Sequence, residues 1–112
     1  MGQWKLTKQI EIDSSHYLRD YDGKCANMHG HRWKIFVEIC GNKLNEQEMI
    51  KDFSDIKKEI MRYDHKCLND IEPFNEINPT AENMAKYFCE IVGADKVTIY
   101  ETPGACVEYV PD

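Results

Sequence analysis

Apolar and polar residues alternate from the start of the chain. Trp4, Leu6, Ile10 and Ile12 share one parity, Gln3, Lys5, Thr7, Gln9, Glu11 and Asp13 share the other, and Lys8 is the one break. A period of two predicts a half-buried strand over 3–13. If that strand runs on through Ser14 and Ser15, His16 emerges on its apolar face at the far end. A lone histidine in such a place is more often a satisfied core residue than a ligand. Residues 18–28 are polar and glycine-containing and read as a loop. A second alternation follows: Trp33, Ile35, Val37 and Ile39 are apolar and odd-numbered, and Gly41-Asn42 ends the strand. His29 and His31 carry the same odd parity. Antiparallel pairing of the two strands would lay the end of the first beside the start of the second. His16, His29 and His31 would then meet at one end of one face.

Leu44, Met49, Ile50 and Phe53 predict a short strand near 49–53 that enters a helix, with Ser54 as its N-cap and Asp55 in its first turn. Ile56, Ile60 and Tyr63 follow at helical spacing, so the helix is expected to run to about 63, and 64–69 form its exit. A loop with Pro73 and Pro79 leads to Thr80 as a second N-cap. Met84, Tyr87, Phe88 and Ile91 then mark the buried stripe of an amphipathic helix that stops at Gly93. Val97, Ile99 and Glu101 alternate on a third strand. Thr102-Pro103-Gly104 turns the chain into a returning strand over 105–110. The order strand, strand, helix, helix, strand, strand predicts an α+β domain: a four-stranded antiparallel sheet with both helices on one face. Such a sheet has two open edges, so self-association is expected.

Length and composition narrow this further. The 112 residues make one domain, 1–112, and no run approaches the ~18 apolar residues of a membrane span. A net charge of −6 argues against nucleic acid and anionic membranes as partners, since both call for clustered Lys and Arg. A cytosolic location is expected. The five cysteines are odd in number and lack a CxxC, which fits reduced thiols; four are expected as core filler. Cys25, among Gly23, Lys24, Ala26 and Asn27, reads instead as a loop thiol.

The chemistry concentrates in Cys25-Ala26-Asn27-Met28-His29-Gly30-His31. Two imidazoles at i and i+2 of an extended backbone point the same way, and His16 would complete a trio. A catalytic zinc takes three protein ligands and keeps one position open. Cys25 is either a fourth ligand, closing a structural zinc, or a thiolate base beside the metal. His65 follows Asp64 and is either an acid/base imidazole or a solvated helix-end histidine. Glu101 either reaches solvent at its strand end or accepts paired N–H donors from a heterocycle. Gly30 leaves room for other backbone to approach closely between the two histidines.

Six features together resemble the 6-pyruvoyltetrahydropterin synthase and 6-carboxytetrahydropterin synthase family, over nearly the whole sequence. They are His16 after the first strand, Cys25-x-x-x-His29-Gly30-His31, Asp52-Phe53, Asp64-His65-Lys66-x-Leu68-Asn69, Pro79-Thr80-x-Glu82-Asn83 and Glu101-Thr102. Where many members carry alanines before the first histidine, this sequence has Ser14-Ser15. The resemblance implies a tunnelling fold that assembles as trimers and stacks as a homohexamer. It implies Zn2+ on His16, His29 and His31, Cys25 as the base, and His65 supported by Asp64 as its acid/base partner. Glu101 would anchor the pterin ring, with Thr80 and Glu82 near it. The implied substrate is 7,8-dihydroneopterin triphosphate; its triphosphate needs cations despite the net charge of −6, and Lys24, Arg32 and Lys66, which flank the motifs, are the candidates. The leading activity is 6-carboxytetrahydropterin synthase, on the way to queuosine-type deazapurines. The alternatives are 6-pyruvoyltetrahydropterin synthase on the same substrate, and a zinc-stabilised interaction module without catalysis.

Overall fold

Two long strands set the frame. In a computed structural model that describes residues 2–112, β1 (Trp4–His16) pairs antiparallel along its full length with β2 (His29–Gly41), from Trp4↔Gly41 to His16↔His29. β3 (Lys96–Thr102) lies on the other side of β2, with Ile35 opposite Ile99 and Val37 opposite Val97. β4 (Ala105–Tyr109) closes the hairpin, so the strand order is β1-β2-β3-β4. Two helices fill the stretch between β2 and β3: α1 (Phe53–Met61) and α2 (Ala81–Val92). The expected α+β arrangement is therefore the observed one. Among the described residues, no helix is long and apolar enough to cross a membrane.

Burial follows parity. Trp33, Ile35, Val37 and Ile39 face the helices and are buried, together with Ile10, Ile12, Val97 and Ile99. Ile56 and Ile60 of α1 and Met84, Phe88 and Val92 of α2 complete the same core. Each such side chain contributes about 1.5–3 kcal/mol on burial. A one-residue slip of β2 would turn its whole apolar row outward, so the register is tightly fixed. That same register decides where His29 and His31 point.

Several local expectations are corrected. No strand forms near 49–53; the carboxamide oxygen of Asn45 accepts from the Gln47 and Met49 amides and folds this stretch into a turn. The N-cap of α1 is Asp52, not Ser54: its carboxylate accepts from the Ser54 amide at 2.9 Å and the Ser54 hydroxyl at 2.7 Å. Those two donors hold the Asp52 carboxyl below its ordinary value. Helical structure stops at Met61, and Tyr63 is buried from the turn that follows. Trp4 is 50% exposed despite its parity, at the edge of a surface depression it shares with Leu44, Ile50 and Phe53. Cys89 alone of the five cysteines is buried; Cys40 and Cys106 are exposed, and Cys25 and Cys67 are half-buried. Cys40 has the even parity of the outward row in β2, and Cys106 pairs with outward-facing Tyr100. At Gly30 an added Cβ would meet nothing nearer than the Ser14 carbonyl oxygen, at 4.0 Å. The expected close approach of backbone is not made.

Candidate active site

β1 does not stop at residue 13. It continues to His16, which lies directly across from His29, while Ser14 lies across from His31. The three rings gather with centroids 4.6 Å (His16–His29), 5.2 Å (His16–His31) and 4.9 Å (His29–His31) apart. One ligand atom from each lies within 4.8 Å of the others.

Hydrogen bonds orient two of the rings. Nδ1 of His16 lies 2.8 Å from the carbonyl oxygen of buried Pro79, and Nδ1 of His29 lies 2.7 Å from the carbonyl oxygen of Asn27. A carbonyl can only accept, so each Nδ1 carries a proton, and Nε2 is the nitrogen left for a ligand. Nε2 of His16 and of His31 are buried without a hydrogen-bond partner. Burial, aided by the neighbouring imidazoles, holds His16 and His31 below the ordinary histidine value, against the opposing pull of Glu101. Neutral rings with free Nε2 atoms and Nδ1–H groups tied to carbonyls are the form in which histidine ligates a metal. The donor set suits zinc, which accepts three imidazoles and leaves a position open. Cys25 is not part of this cluster of possible ligand atoms.

Glu101 comes out beside the trio rather than in solvent. Its Oε1 is 3.6 Å from Nε2 of His16 and 3.9 Å from Nε2 of His31. It also borders two clefts. One, of about 240 Å³, is bordered by His16, Cys25, Thr80, Glu82 and Glu101. The other, of about 630 Å³, runs past His31 and Glu101 along Arg32, Lys34, Phe36 and Tyr100. The first therefore collects most of the candidate residues on one side of the imidazoles. Cys25 is carried there by a single 3-10 turn, Lys24–Ala26, whose Cys25 carbonyl oxygen accepts from the Leu18 amide at 2.8 Å. Thr80 caps α2, its hydroxyl accepting from the Asn83 amide at 3.1 Å.

The Asp64–His65 pair lies outside the cleft that holds Cys25. His65 is exposed and has a left-handed backbone, φ 55°. This conformation, uncommon for a residue with a Cβ, turns the ring back so that Nε2 lies 3.4 Å from Oδ2 of Asp64. Helical or extended backbone would have sent the two side chains apart. His65 and Lys66 border a shallow depression with Gly30 and His31, so Cys25 and His65 open onto different clefts of the chain. Of the three cations expected near a triphosphate, Arg32 is committed elsewhere: its Nε and one terminal nitrogen donate to Asp13 at 2.9 and 3.2 Å.

Several supporting residues act through contacts with distant backbone, which the sequence does not spell out. Asn69 and Asn78 act as side-chain strand partners for the backbone beyond His16. The Asn69 carboxamide accepts from the Tyr17 amide and donates to its carbonyl, and Asn78 does the same for Arg19. The Arg19 guanidinium in turn donates to the Phe74 and Ile77 carbonyls. Pro79 acts through a carbonyl, which no side-chain motif can reveal. Asn27 does leave a signal, since it stands two residues from His29.

Comparisons with known proteins point one way. The family model described as 6-pyruvoyl tetrahydropterin synthase matches residues 5–112. A Bacillus subtilis protein named 6-carboxy-5,6,7,8-tetrahydropterin synthase is 32% identical over 111 residues, covering 94% of this chain and 75% of that protein. A relative from Pyrococcus horikoshii is 34% identical over 103 residues, covering 91% of this chain and 65% of its own length. The solved structure of Caenorhabditis elegans 6-pyruvoyl tetrahydropterin synthase superposes with a TM-score of 0.82 at 27% identity, covering 100% of this chain and 98% of that one.

Proposed function

The chain belongs to the 6-pyruvoyl tetrahydropterin synthase family, and from that premise we propose that it is a zinc-dependent 6-carboxy-5,6,7,8-tetrahydropterin synthase acting on 7,8-dihydroneopterin triphosphate. In this reading it is one tunnelling-fold domain over 1–112 that works as a homohexamer and supplies deazapurine synthesis. The observation that carries the reading is the convergence of His16, His29 and His31, with two buried, unpartnered Nε2 atoms, beside the cleft that holds Cys25 and Glu101.

His16, His29 and His31 hold the zinc. When bound, it supplies Lewis acidity that stabilises negative charge on the oxygens of the substrate's tail. The Glu101 carboxylate accepts the paired N–H donors of the pterin edge and so sets the ring in the cleft, with Thr80 and Glu82 along its wall. The Cys25 thiolate removes the proton from the tail carbon next to the ring. His65, its Nε2 3.4 Å from the Asp64 carboxylate, takes or returns a proton at a hydroxyl of the tail. Lys24 and Lys66 attract the triphosphate, while Arg32 serves Asp13. One water is consumed, a carbon–carbon bond of the tail breaks, and acetaldehyde and triphosphate leave. The electrons that reduce the ring come from the tail, so no external reductant enters.

The similarity to a solved pyruvoyl synthase favours one second reading, elimination of triphosphate to give the 6-pyruvoyl product. Product analysis separates the two. Purified protein with zinc and dihydroneopterin triphosphate is expected to release acetaldehyde with the carboxylated pterin. A pyruvoyl product without acetaldehyde would overturn the first reading.

A further inference from the structure

The last residues of β1 serve two masters. On one side they lead into His16. On the other they carry the segment that bears Asp64 and His65. Four bonds make that second attachment. The Asp13 amide donates to Oδ1 of Asp64 at 2.8 Å, and the His65 amide donates to the Asp13 carbonyl at 2.8 Å. The Ser15 amide donates to the Lys66 carbonyl at 3.0 Å, beside a parallel bridge between Ser15 and Cys67. The fourth comes from a side chain: the Ser14 hydroxyl donates to the carbonyl oxygen of Tyr63.

Three of these bonds start from backbone amides and survive any substitution in β1 short of proline. The Ser14 hydroxyl is the replaceable one. It is 6% exposed, and the carbonyl it satisfies belongs to a residue that is 2% exposed. That carbonyl lies just past the end of α1, where carbonyls lack helical partners. Without its donor it must turn toward water or remain buried and unpaired. The first outcome moves the backbone immediately before Asp64 and His65, and the second weakens its attachment to β1, although the left-handed conformation of His65 depends on being held from outside. The other polar group of Ser14 is fixed too: its carbonyl accepts from Nε1 of Trp33 at 3.1 Å.

We propose that Ser14 is a positioning residue for the Asp64–His65 pair, acting through the Tyr63 carbonyl and coupling that pair to the strand that presents His16. The catalytic readout rests on the proposed function; the second readout does not.

The test uses the zinc-loaded protein and the variants Ser14→Ala, Ser14→Thr, His65→Ala and the Ser14→Ala/His65→Ala double variant. Ser14→Ala is expected to lower kcat about tenfold with KM and zinc content unchanged, as a small misplacement of an acid/base group does. Ser14→Thr, which keeps the hydroxyl, restores it. In the His65→Ala background Ser14→Ala should have no further effect. Additive losses would overturn the proposal, because a merely structural role would add. Exchange of the His65 amide hydrogen should also quicken about tenfold in Ser14→Ala, and an unchanged rate would overturn the proposal without reference to turnover. If the wild-type protein does not turn over the pterin triphosphate, the proposed function falls, and the exchange rate still decides the role of Ser14. Should Ser14→Ala not fold, Ser14→Cys keeps the volume with a weak donor and takes its place in each comparison.

Discussion

Nδ1 of His16 lies 2.8 Å from the carbonyl oxygen of Pro79, a residue 63 positions away. The ring at the end of β1 is thus aimed by the entry to α2. With Nδ1–H bound there, Nε2 is left to the interior of the trio. Replacing any one of His16, His29 or His31 by Ala is expected to lower the zinc content of the purified protein from near one equivalent per protomer to well below it. Metal analysis measures this directly. Full zinc in the His16→Ala protein would refute the assignment of that ring.

Cys25 stands outside the cluster of possible ligand atoms. Cys25→Ala should therefore keep its zinc and its folded stability while turnover drops by about 10²–10⁴-fold, the range for loss of a positioned acid/base group. Loss of zinc together with unfolding would instead mark Cys25 as a fourth ligand and the protein as a zinc-stabilised module.

Acid should weaken the metal-free protein. His16 and His31 sit below their ordinary value of 6.5 because they are buried. In the window between that value and the lowered one, the unfolded state binds more protons than the folded state, and stability falls as pH falls. Chelator-treated protein should melt at a lower temperature at pH 5.5 than at pH 7.5. In the His31→Gln variant the difference should shrink. An equal difference in both proteins would exclude His31 as a source.

Thr80 has a structural duty irrespective of any substrate. Its hydroxyl accepts from the Asn83 amide, and removing it in Thr80→Ala should cost about 1 kcal/mol. For a domain of this size that lowers Tm by roughly 4 °C. Thr80→Ser, which retains the acceptor, should restore the melt. If Thr80→Ala melts like wild type, the cap does not contribute and the residue must be explained by the cleft alone.

Glu101 faces the imidazoles and both clefts. Glu101→Gln should raise KM for the pterin by about 10–100-fold, the scale of losing charge-assisted hydrogen bonds, while zinc content holds. Unchanged KM would place the pterin edge elsewhere.

The trio and the sheet are legible in the sequence because both depend on parity. A period of two fixes which face a residue occupies, and apolar rows of four fix the register. His16, His29 and His31 inherit their positions from Ile12 and Trp33. Contacts that depend on a single backbone torsion or on a carbonyl escape such a reading. His65 meets Asp64 only because its φ is positive. Pro79 and Asn69 reach β1 across distances that leave no periodic trace. Asp52 outcompetes Ser54 as the cap because a carboxylate one position before the helix collects both Ser54 donors. Among the cysteines, strand parity is a better guide to burial than the residue type: Cys40 lies on the even, outward row.

The full-length pairing of β1 with β2 also sets which changes of length the fold permits. Deleting one residue between Ile12 and His16, or between His31 and Trp33, reverses a histidine relative to the core row beside it. Deleting two of the three residues between Ile12 and His16 keeps the face and shortens the ladder. Insertions and deletions at this end of the sheet are therefore tolerated in even steps and punished in odd ones. The exposed stretch from Asp20 to Gly23, which obeys no parity, can absorb either.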